Sequence, residues 1–356
     1  MTDSEQPSHV PVEAPDPVAR PTLKTIARLA GLAVPTVSRA LGDAPDIGEE
    51  TKRRVKEIAQ QIGYRPNRAG VRLRTGRTNV LSLVMSTEHD QMNHTARLIT
   101  AVAGALRGTP YHMIITPYFP DEDPMVPIRY IVETGSADGL ILNQTEPEDP
   151  RVTYMMAHDF PFVTHGRTNI CDRHSYVDFD NYAFAADAVA ALARRGRRRI
   201  VLLAPPLTQS YSQHMLAGAT EAAARLGVTV TLLADADAQD DSPRIARALS
   251  AALLGPEPPD GMISPRVGAT MTMISTAEGF GRKLGRDFDM VAKEAIPVLE
   301  SFRPGIIIVH EDIDHAGQFA ARALMHRIAH PTEPPMQSLA TPDPIDPPEG
   351  GQTVKP

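Results

Sequence analysis

Three neighbouring side chains, Thr36, Ser38 and Arg39, carry the first distinctive chemistry in the chain. Short hydroxyls suit phosphate oxygens, and a guanidinium presents paired donors that match a guanine edge in the major groove of a duplex. To act together they must leave one face of a short helix. Val37, Ala40 and Leu41 form the opposite, apolar side at helical spacing. Pro35 falls in the first turn, where a missing N–H is tolerated, and Val34 beside it could touch a thymine methyl. Upstream, Leu23, Ile26, Ala27 and Ala30 recur at helical spacing, Thr22 is placed to cap them, and Gly31 lets the chain reverse tightly. A third helix runs from about Glu49 to Gln61, with Val55, Ile58, Ala59 and Ile62 as its apolar stripe and Gly63 as its stop. Three short helices around one small core, the second with a polar outer side ending in Arg39, is the layout of a DNA-reading helix-turn-helix.

Charge is distributed to match. Residues 21–78 hold twelve Lys or Arg against five Asp or Glu, a balance of plus seven, within a chain whose net charge is minus seven. The first twenty residues carry minus three, which leaves minus eleven on residues 79–356. A basic head on an acidic body binds a polyanion with one end only. At 356 residues and 42% hydrophobic content there is room for this head plus one large or two medium domains. The lone Cys171 excludes an intramolecular disulfide and fits a reducing cytoplasm. Residues 1–20 are acidic and proline-rich without an apolar core, and no run approaches the roughly 18 apolar residues of a membrane span, so neither a signal peptide nor an anchor is expected. The stretch after His330, rich in Pro, Thr and Asp, is expected to be disordered.

From Asn79 onward, apolar runs alternate with helical stretches. Val80 to Met85, Tyr111 to Thr116, Gly139 to Leu142, Phe162 to Thr164, Ile200 to Ala204, Gly261 to Ser264, Met290 to Ala292 and Ile306 to Val309 read as strands. Helices are expected over Thr95 to Arg107, Tyr182 to Arg195, His214 to Leu226, Ala269 to Lys283 and His315 to Ala329. That alternation predicts parallel sheets covered on both faces, and chain order alone leaves one doubly wound domain or two.

The order and spacing of Thr22-Leu23, Ile26-Ala27, Ala30-Gly31, Thr36-Val37-Ser38-Arg39, Thr51, Gly63-Tyr64, Pro66-Asn67-Arg68 and Leu73 resemble the LacI/GalR family of bacterial transcription regulators. The resemblance implies that Tyr64 to Leu73 is a hinge helix ordered on operator DNA, with Leu73 as a minor-groove wedge that bends the duplex. It implies base reading by Arg39 and phosphate positioning by Thr36, Ser38, Thr51, Tyr64 and Asn67. Thr22, Leu23, Val34, Pro35 and Gly70 complete the DNA-facing set. Ala33-Val34-Pro35 and Gly42 depart from the family pattern, so more of the base readout falls on Arg39.

Asp180-Asn181 before a long helix, Arg195 to Ile200 leading into a strand, and Gly218 within the next helix resemble the effector-binding body of the same regulators. The fold class so implied is α/β: a three-helix head with a hinge helix, then a periplasmic-binding-protein-like body of two Rossmann-like lobes with a ligand cleft between them. By position the effector residues are Asp180, His214, Met215, Arg266 and Lys293. Met215 stands where many relatives place an Arg, Pro265-Arg266 where they place Asn-Asp, and Lys293-Glu294 where they place Asp-Asp. Two cations facing one cleft predict an acidic or phosphorylated sugar-like effector. The alternative is that Lys293 pairs with Glu294 or another neighbour while Arg266 points to solvent.

Other motifs fail on context. Gly279 to Gly285 is spaced one residue too long for a dinucleotide loop and follows a helix. In His310-Glu311-Asp312-Ile313-Asp314-His315 the second His lies at i+5, off the face two zinc ligands would share. His326 and His330 are spaced i, i+4, but with Pro331 next and no acidic ligand near in sequence they read as a surface pair. The run Arg194 to Arg199 reads as a solvated turn. No catalytic constellation, cofactor or metal site is expected. The domains read as a tail over 1–20, the helix-turn-helix over 21–65, hinge and linker over 66–78, an effector-binding and dimerisation domain over 79–330, and a Pro-rich tail over 331–356. The resulting expectation is a cytoplasmic homodimeric repressor of carbohydrate uptake or catabolism genes, reading a pseudo-palindromic operator and controlled by a sugar-like effector, with no membrane partner. A tetramer is not expected, because the Pro-rich tail offers no heptad. The alternative is a cytoplasmic sugar-binding or sugar-modifying protein with an accessory head.

Overall fold

The computed structural model describes residues 21–64, 76–87, 92–295 and 297–345. It divides into two compact units, residues 1–78 and 79–356.

The first unit contains helices α1 (Leu23–Ala30), α2 (Val34–Leu41) and α3 (Glu49–Gln61). Thr22 caps α1 by accepting the Thr25 N–H, and Thr25 reciprocates on the Thr22 N–H. Gly31 ends the helix in the left-handed conformation at φ 64°, where a side chain would be strained. With Pro35 in its first turn, α2 begins without a side-chain cap. Ile26, Ala27, Ala30, Val37, Ala40, Val55 and Ala59 are buried together as the core.

The second unit holds two parallel sheets. The first lobe is built from β1 (Val80–Ser86), α4 (Met92–Ala105), β2 (His112–Tyr118), α5 (Met125–Thr134), β3 (Gly139–Leu142), α6 (Pro150–Ala157), β4 (Phe162–His165) and β5 (Ser175–Phe179). The second contains α7 (Asn181–Arg194), β6 (Arg199–Leu202), α8 (Ser210–Leu226), β7 (Thr229–Leu232), α9 (Ser242–Leu254), β8 (Gly261–Ser264), α10 (Val267–Gly279), β9 (Asp289–Glu294), α11 (Leu299–Phe302) and β10 (Ile307–His310). The chain then returns to the first lobe with α12 (Ile313–Ala329) and β11 (Gln337–Ala340). Strand orders are β11-β5-β4-β3-β1-β2 and β10-β9-β8-β6-β7. Each sheet therefore reverses direction of growth at its first strand, and such a reversal opens a crevice at the carboxyl ends of the strands.

Three chain segments cross between the lobes: between β5 and α7, between β10 and α12, and after β11, where Ile345 packs against the second lobe's core. The last crossing corrects the expectation for the stretch after His330. Gln337 to Ala340 pair in parallel with Tyr176 to Phe179. The prolines that suggested disorder flank this strand, where they interrupt no ladder, and an edge strand needs only one bonded side. The basic run before β6 also departs from a solvated turn. Arg197 Nε donates to Asp289 Oδ2 at 2.6 Å and Arg195 Nη1 lies 3.4 Å from Asp289 Oδ1, so the run secures the start of β9.

Gly218 sits where α8 crosses α7. A Cβ added there would lie 2.1 Å from the Tyr182 carbonyl oxygen, inside backbone that cannot yield cheaply. Gly218→Ala is expected to force the two helices apart and destabilise the body by about 1–3 kcal/mol, read as a lower urea midpoint.

Candidate functional site

A cavity of about 350 Å³ opens where the carboxyl ends of both sheets meet. Strand ends supply its polar wall. Asn143, Gln144 and Thr145 follow β3, His165 and Gly166 end β4, Asp178 lies in β5, Lys293 and Glu294 close β9, and Glu311 follows β10. His94 comes from the first turn of α4, Arg266 caps α10, and Tyr211, Val267, Met271 and Val298 add apolar surface.

A buried ionic network occupies the floor. Lys293 Nζ lies 2.7 Å from Glu311 Oε2 and 3.0 Å from Asn181 Oδ1, and it stands 4.9 Å over the centre of the Phe179 ring. Lys293 belongs to the second lobe, Glu311 to the crossing between β10 and α12, and Phe179 and Asn181 flank the crossing at residue 180, so one ammonium ties the lobe to its hinge. Burial alone would raise the Glu311 carboxyl, but the Lys293 ammonium and the nearby His94 imidazole outweigh it and hold the group below the usual carboxylate range. His94 and His165 stack with ring centres 5.4 Å apart, each presenting Nε2 3.9 Å from Glu311 Oε1. A second tie runs from Arg97 of α4, whose Nη1 donates to the Ala295 carbonyl at 2.7 Å and whose Nη2 pairs with Asp314.

Two wall groups titrate in opposition. Burial pushes the His165 imidazole down to about 4, reinforced by His94. Burial pushes the Asp178 carboxyl up to about 6, although Arg167 Nε donates to its Oδ2 at 2.8 Å. Below an unfolded value near 6.5 the folded state binds fewer protons at His165, so stability from that group is lost as pH falls toward 4. At Asp178 the folded state binds more protons between the ordinary value of 3.8 and about 6, so stability from that group is lost as pH rises through the same window. The two slopes nearly cancel in the parent chain. In Asp178→Asn the His165 slope loses that counterweight, and stability is expected to rise with pH from about 4 to about 6.5 more steeply than in the parent, measured as urea midpoints across that range.

Of the five effector residues expected from the sequence, Arg266 and Lys293 line the cavity; Asp180, His214 and Met215 do not. Met215 is fully buried in the second lobe's core. It lies three residues before Gly218, on the same helical face, and that face is pressed against α7. His214, the next residue round the helix, is half-buried, and its imidazole is pushed down by burial and by nearby Arg167. Asp180 is the N-cap of α7, accepting the Ala183 N–H, and lies 4.0 Å from Arg167 Nη2. Asp180 and His214 thus lie near Arg167, which itself holds Asp178. Lys293 takes the pairing alternative in a modified form: its partner is Glu311, seventeen residues farther along than Glu294. Arg266 points inward, donating from Nη1 to the Ala238 carbonyl at 2.9 Å. The two-cation reading of the cleft therefore loses Lys293, whose charge is already balanced.

Sequence reading missed His94, Asn143, Gln144, His165 and Asp178 as cavity residues, and discarded Glu311 with its motif. A usable signal was present, since Asn143 and His165 directly follow or end apolar runs, where a switch-point crevice draws its side chains.

In the first unit, Arg39 is exposed on α2 and forms an ion pair with Asp46. Pro35 is exposed, and Thr36, Ser38 and Thr51 are half-buried. Leu23, Val34 and Tyr64 pack against the small core, while the Thr22 hydroxyl serves the α1 cap. Asn67, Gly70 and Leu73 lie outside the described residues.

Comparison with known proteins places these features in a family. Residues 22–67 match the model for bacterial regulatory proteins of the lacI family, and residues 189–346 match the periplasmic binding protein-like domain. The HTH-type transcriptional regulator AglR of Rhizobium meliloti (strain 1021) is 29% identical over 324 residues, covering 89% of this chain and 90% of its own. The regulator RafR of Escherichia coli is 34% identical over 192 residues, 53% of this chain and 57% of its own. Among solved structures, the transcriptional regulator CelR in complex with cellobiose superposes with a TM-score of 0.66 at 24% identity, covering 91% of this chain and 98% of its own. The lac repressor dimer bound to operator and the anti-inducer ONPF gives 0.77 at 16% identity, covering 92% and 98%. Residues 22–67 thus carry the helix-turn-helix domain of bacterial regulatory proteins of the lacI family, and a two-lobed α/β body follows. The chain is a DNA-binding regulator and not an enzyme.

Proposed function

We propose that this chain is a cytoplasmic homodimeric repressor that reads a pseudo-palindromic operator and is controlled by a sugar-like effector bound in the inter-lobe cavity. The observation that carries this reading is the presence, in one chain, of a helix with an exposed Arg39 and a cavity at the switch points of two lobes joined by three crossings. Closing or opening such lobes moves the crossings, and a ligand that prefers one arrangement shifts its population. Among the described residues, no helix is long and apolar enough to cross a membrane.

The cavity suits a hydroxyl-rich ligand better than an anion. Its Lys293 is balanced by Glu311 and its Asp178 by Arg167, while Asn143 Oδ1 is buried with no hydrogen-bond partner among the described residues and so offers an acceptor to a hydroxyl. Tyr211 and Met271 supply apolar surface of the kind that faces a sugar ring. Arg266 is the cavity cation on which an acidic effector would still rest. The first lobe's edge strand β2 exposes Ile114 and Ile115, and Phe119, Val126 and Tyr130 are exposed just after it, an apolar surface that supports a dimer of this chain. The structural relative CelR, solved as a complex with cellobiose, is in keeping with a saccharide class.

The test is a gel shift of the protein on its own upstream DNA, with and without Arg39→Ala, together with calorimetry over neutral sugars, sugar acids and sugar phosphates. The proposal expects DNA retention that falls with salt and one sugar class that alters it. Saccharide binding or turnover with no DNA affinity would support the sugar-binding alternative instead. Tight binding of a sugar acid that is lost in Arg266→Ala would replace the neutral ligand by an anionic one.

A further inference from the structure

The end of α12 carries a side-chain cluster that the regulator function does not use. His326 and His330 stand one helical turn apart with ring centres 4.9 Å from each other. Glu333 folds back onto both: His326 Nε2 lies 3.1 Å from Oε2, and His330 Nδ1 lies 3.4 Å from Oε1. All three ligand atoms fall within 4.8 Å of one another. The expectation that no acidic ligand lies near this pair in sequence is corrected by Glu333, three residues beyond His330, which the turn after the helix brings back to both imidazoles.

That turn is held in place. The His330 N–H donates to the His326 carbonyl at 2.8 Å, the Glu333 N–H donates to the His330 carbonyl at 3.2 Å, and Arg327 Nη1 donates to the Glu333 carbonyl at 3.2 Å. The carboxylate is thus positioned by backbone bonds on both sides, not by its attraction to the imidazoles alone. Two ligands each about 2.0–2.1 Å from a tetrahedral zinc stand about 3.3 Å apart, which matches the two N···O separations. The carbonyl end of a helix also favours a cation.

We propose that His326, His330 and Glu333 form a divalent transition-metal site, suited to zinc, with the remaining coordination positions open to water. The cluster joins the last turn of α12 to the segment entering β11, so a bound ion braces the connection between these two first-lobe elements. The cavity cluster of His94, His165 and Glu311 is the competing candidate. There Glu311 already holds the Lys293 ammonium at 2.7 Å, and an entering dication would meet that charge in a buried setting. At the end of α12 the three ligand residues are a third to a half exposed, so water screens the added charge.

The experiment is calorimetric titration of zinc ion alone into the full chain, with any affinity tag removed, beside the variants His330→Ala, Glu333→Gln and His94→Ala. One zinc per chain is expected, with affinity weakened about tenfold or more in His330→Ala and in Glu333→Gln and unchanged in His94→Ala. His330 and Glu333 are each about half exposed, so both variants are expected to keep the parent's circular dichroism. No binding by the parent chain, or binding lost in His94→Ala and retained in His330→Ala, would overturn the proposal.

Discussion

Glu311→Met is expected to destabilise the body by about 3–5 kcal/mol, the larger part of a typical domain's stability, because it leaves the Lys293 ammonium buried without its counter-charge. Lys293 is 7% exposed and the Glu311 side chain 9%, so water cannot replace the lost partner. Asn181 Oδ1 and the Phe179 ring remain, yet neither carries a full negative charge. The double variant Lys293→Met, Glu311→Met is expected to regain most of the loss, since replacing a buried pair by apolar groups is often neutral. Urea midpoints of the four chains form a closed cycle, and a double variant no more stable than Glu311→Met would show that the pair is not the cause. The same cycle separates stability from ligand binding, because the double variant keeps a folded cavity with its floor charges removed.

Arg39→Ala is expected to weaken operator binding by about 1–3 kcal/mol, roughly 5- to 150-fold, with much less effect on non-specific DNA. Asp46 turns this into a two-sided prediction. It pairs with Arg39 in the DNA-free chain, and that pair must open before the guanidinium can meet a base. Asp46→Asn is therefore expected to tighten binding, by up to about fivefold, since an exposed pair contributes at most about 1 kcal/mol. Gel shifts on the operator and on a scrambled duplex read both effects. Equal losses on the two duplexes in Arg39→Ala would assign the residue to the phosphates.

The apolar strands and the helix-turn-helix were legible because burial on both faces writes long runs of Val, Ile and Leu, and because a small core needs helical spacing. Residues 139–142 and 261–264 are fully buried as strands, and Glu49–Gln61 has the bounds its stripe indicates. The strands that escaped are of another kind. Thr229–Leu232 and Gln337–Ala340 are half-exposed edges whose alternation is too short to register. Ser175–Phe179 is buried but turns Asp178 to the cavity, so function interrupts its apolar pattern. The cavity was legible as a place but not as a set of side chains. Position alone put Met215 in the cleft, whereas the close approach at Gly218 turns that face of α8 into the core. Glu311 was dismissed on local spacing, although its partners come from residues 94, 165 and 293. Pairings of such long range leave no mark on a single sequence.

The return of α12 to the first lobe sets the order in which the body can be completed during synthesis. Ile313, Ala316, Ala320 and Leu324 belong to the same core as Leu81 and Leu83, so the first strand waits for residues made more than two hundred positions later. The second lobe's strands and most of its helices, residues 181–310, form one continuous stretch and need no such wait. The ribosome therefore releases a chain whose later half can close before its earlier half. Until α12 emerges, the first sheet presents an uncovered apolar face to the cell's chaperones.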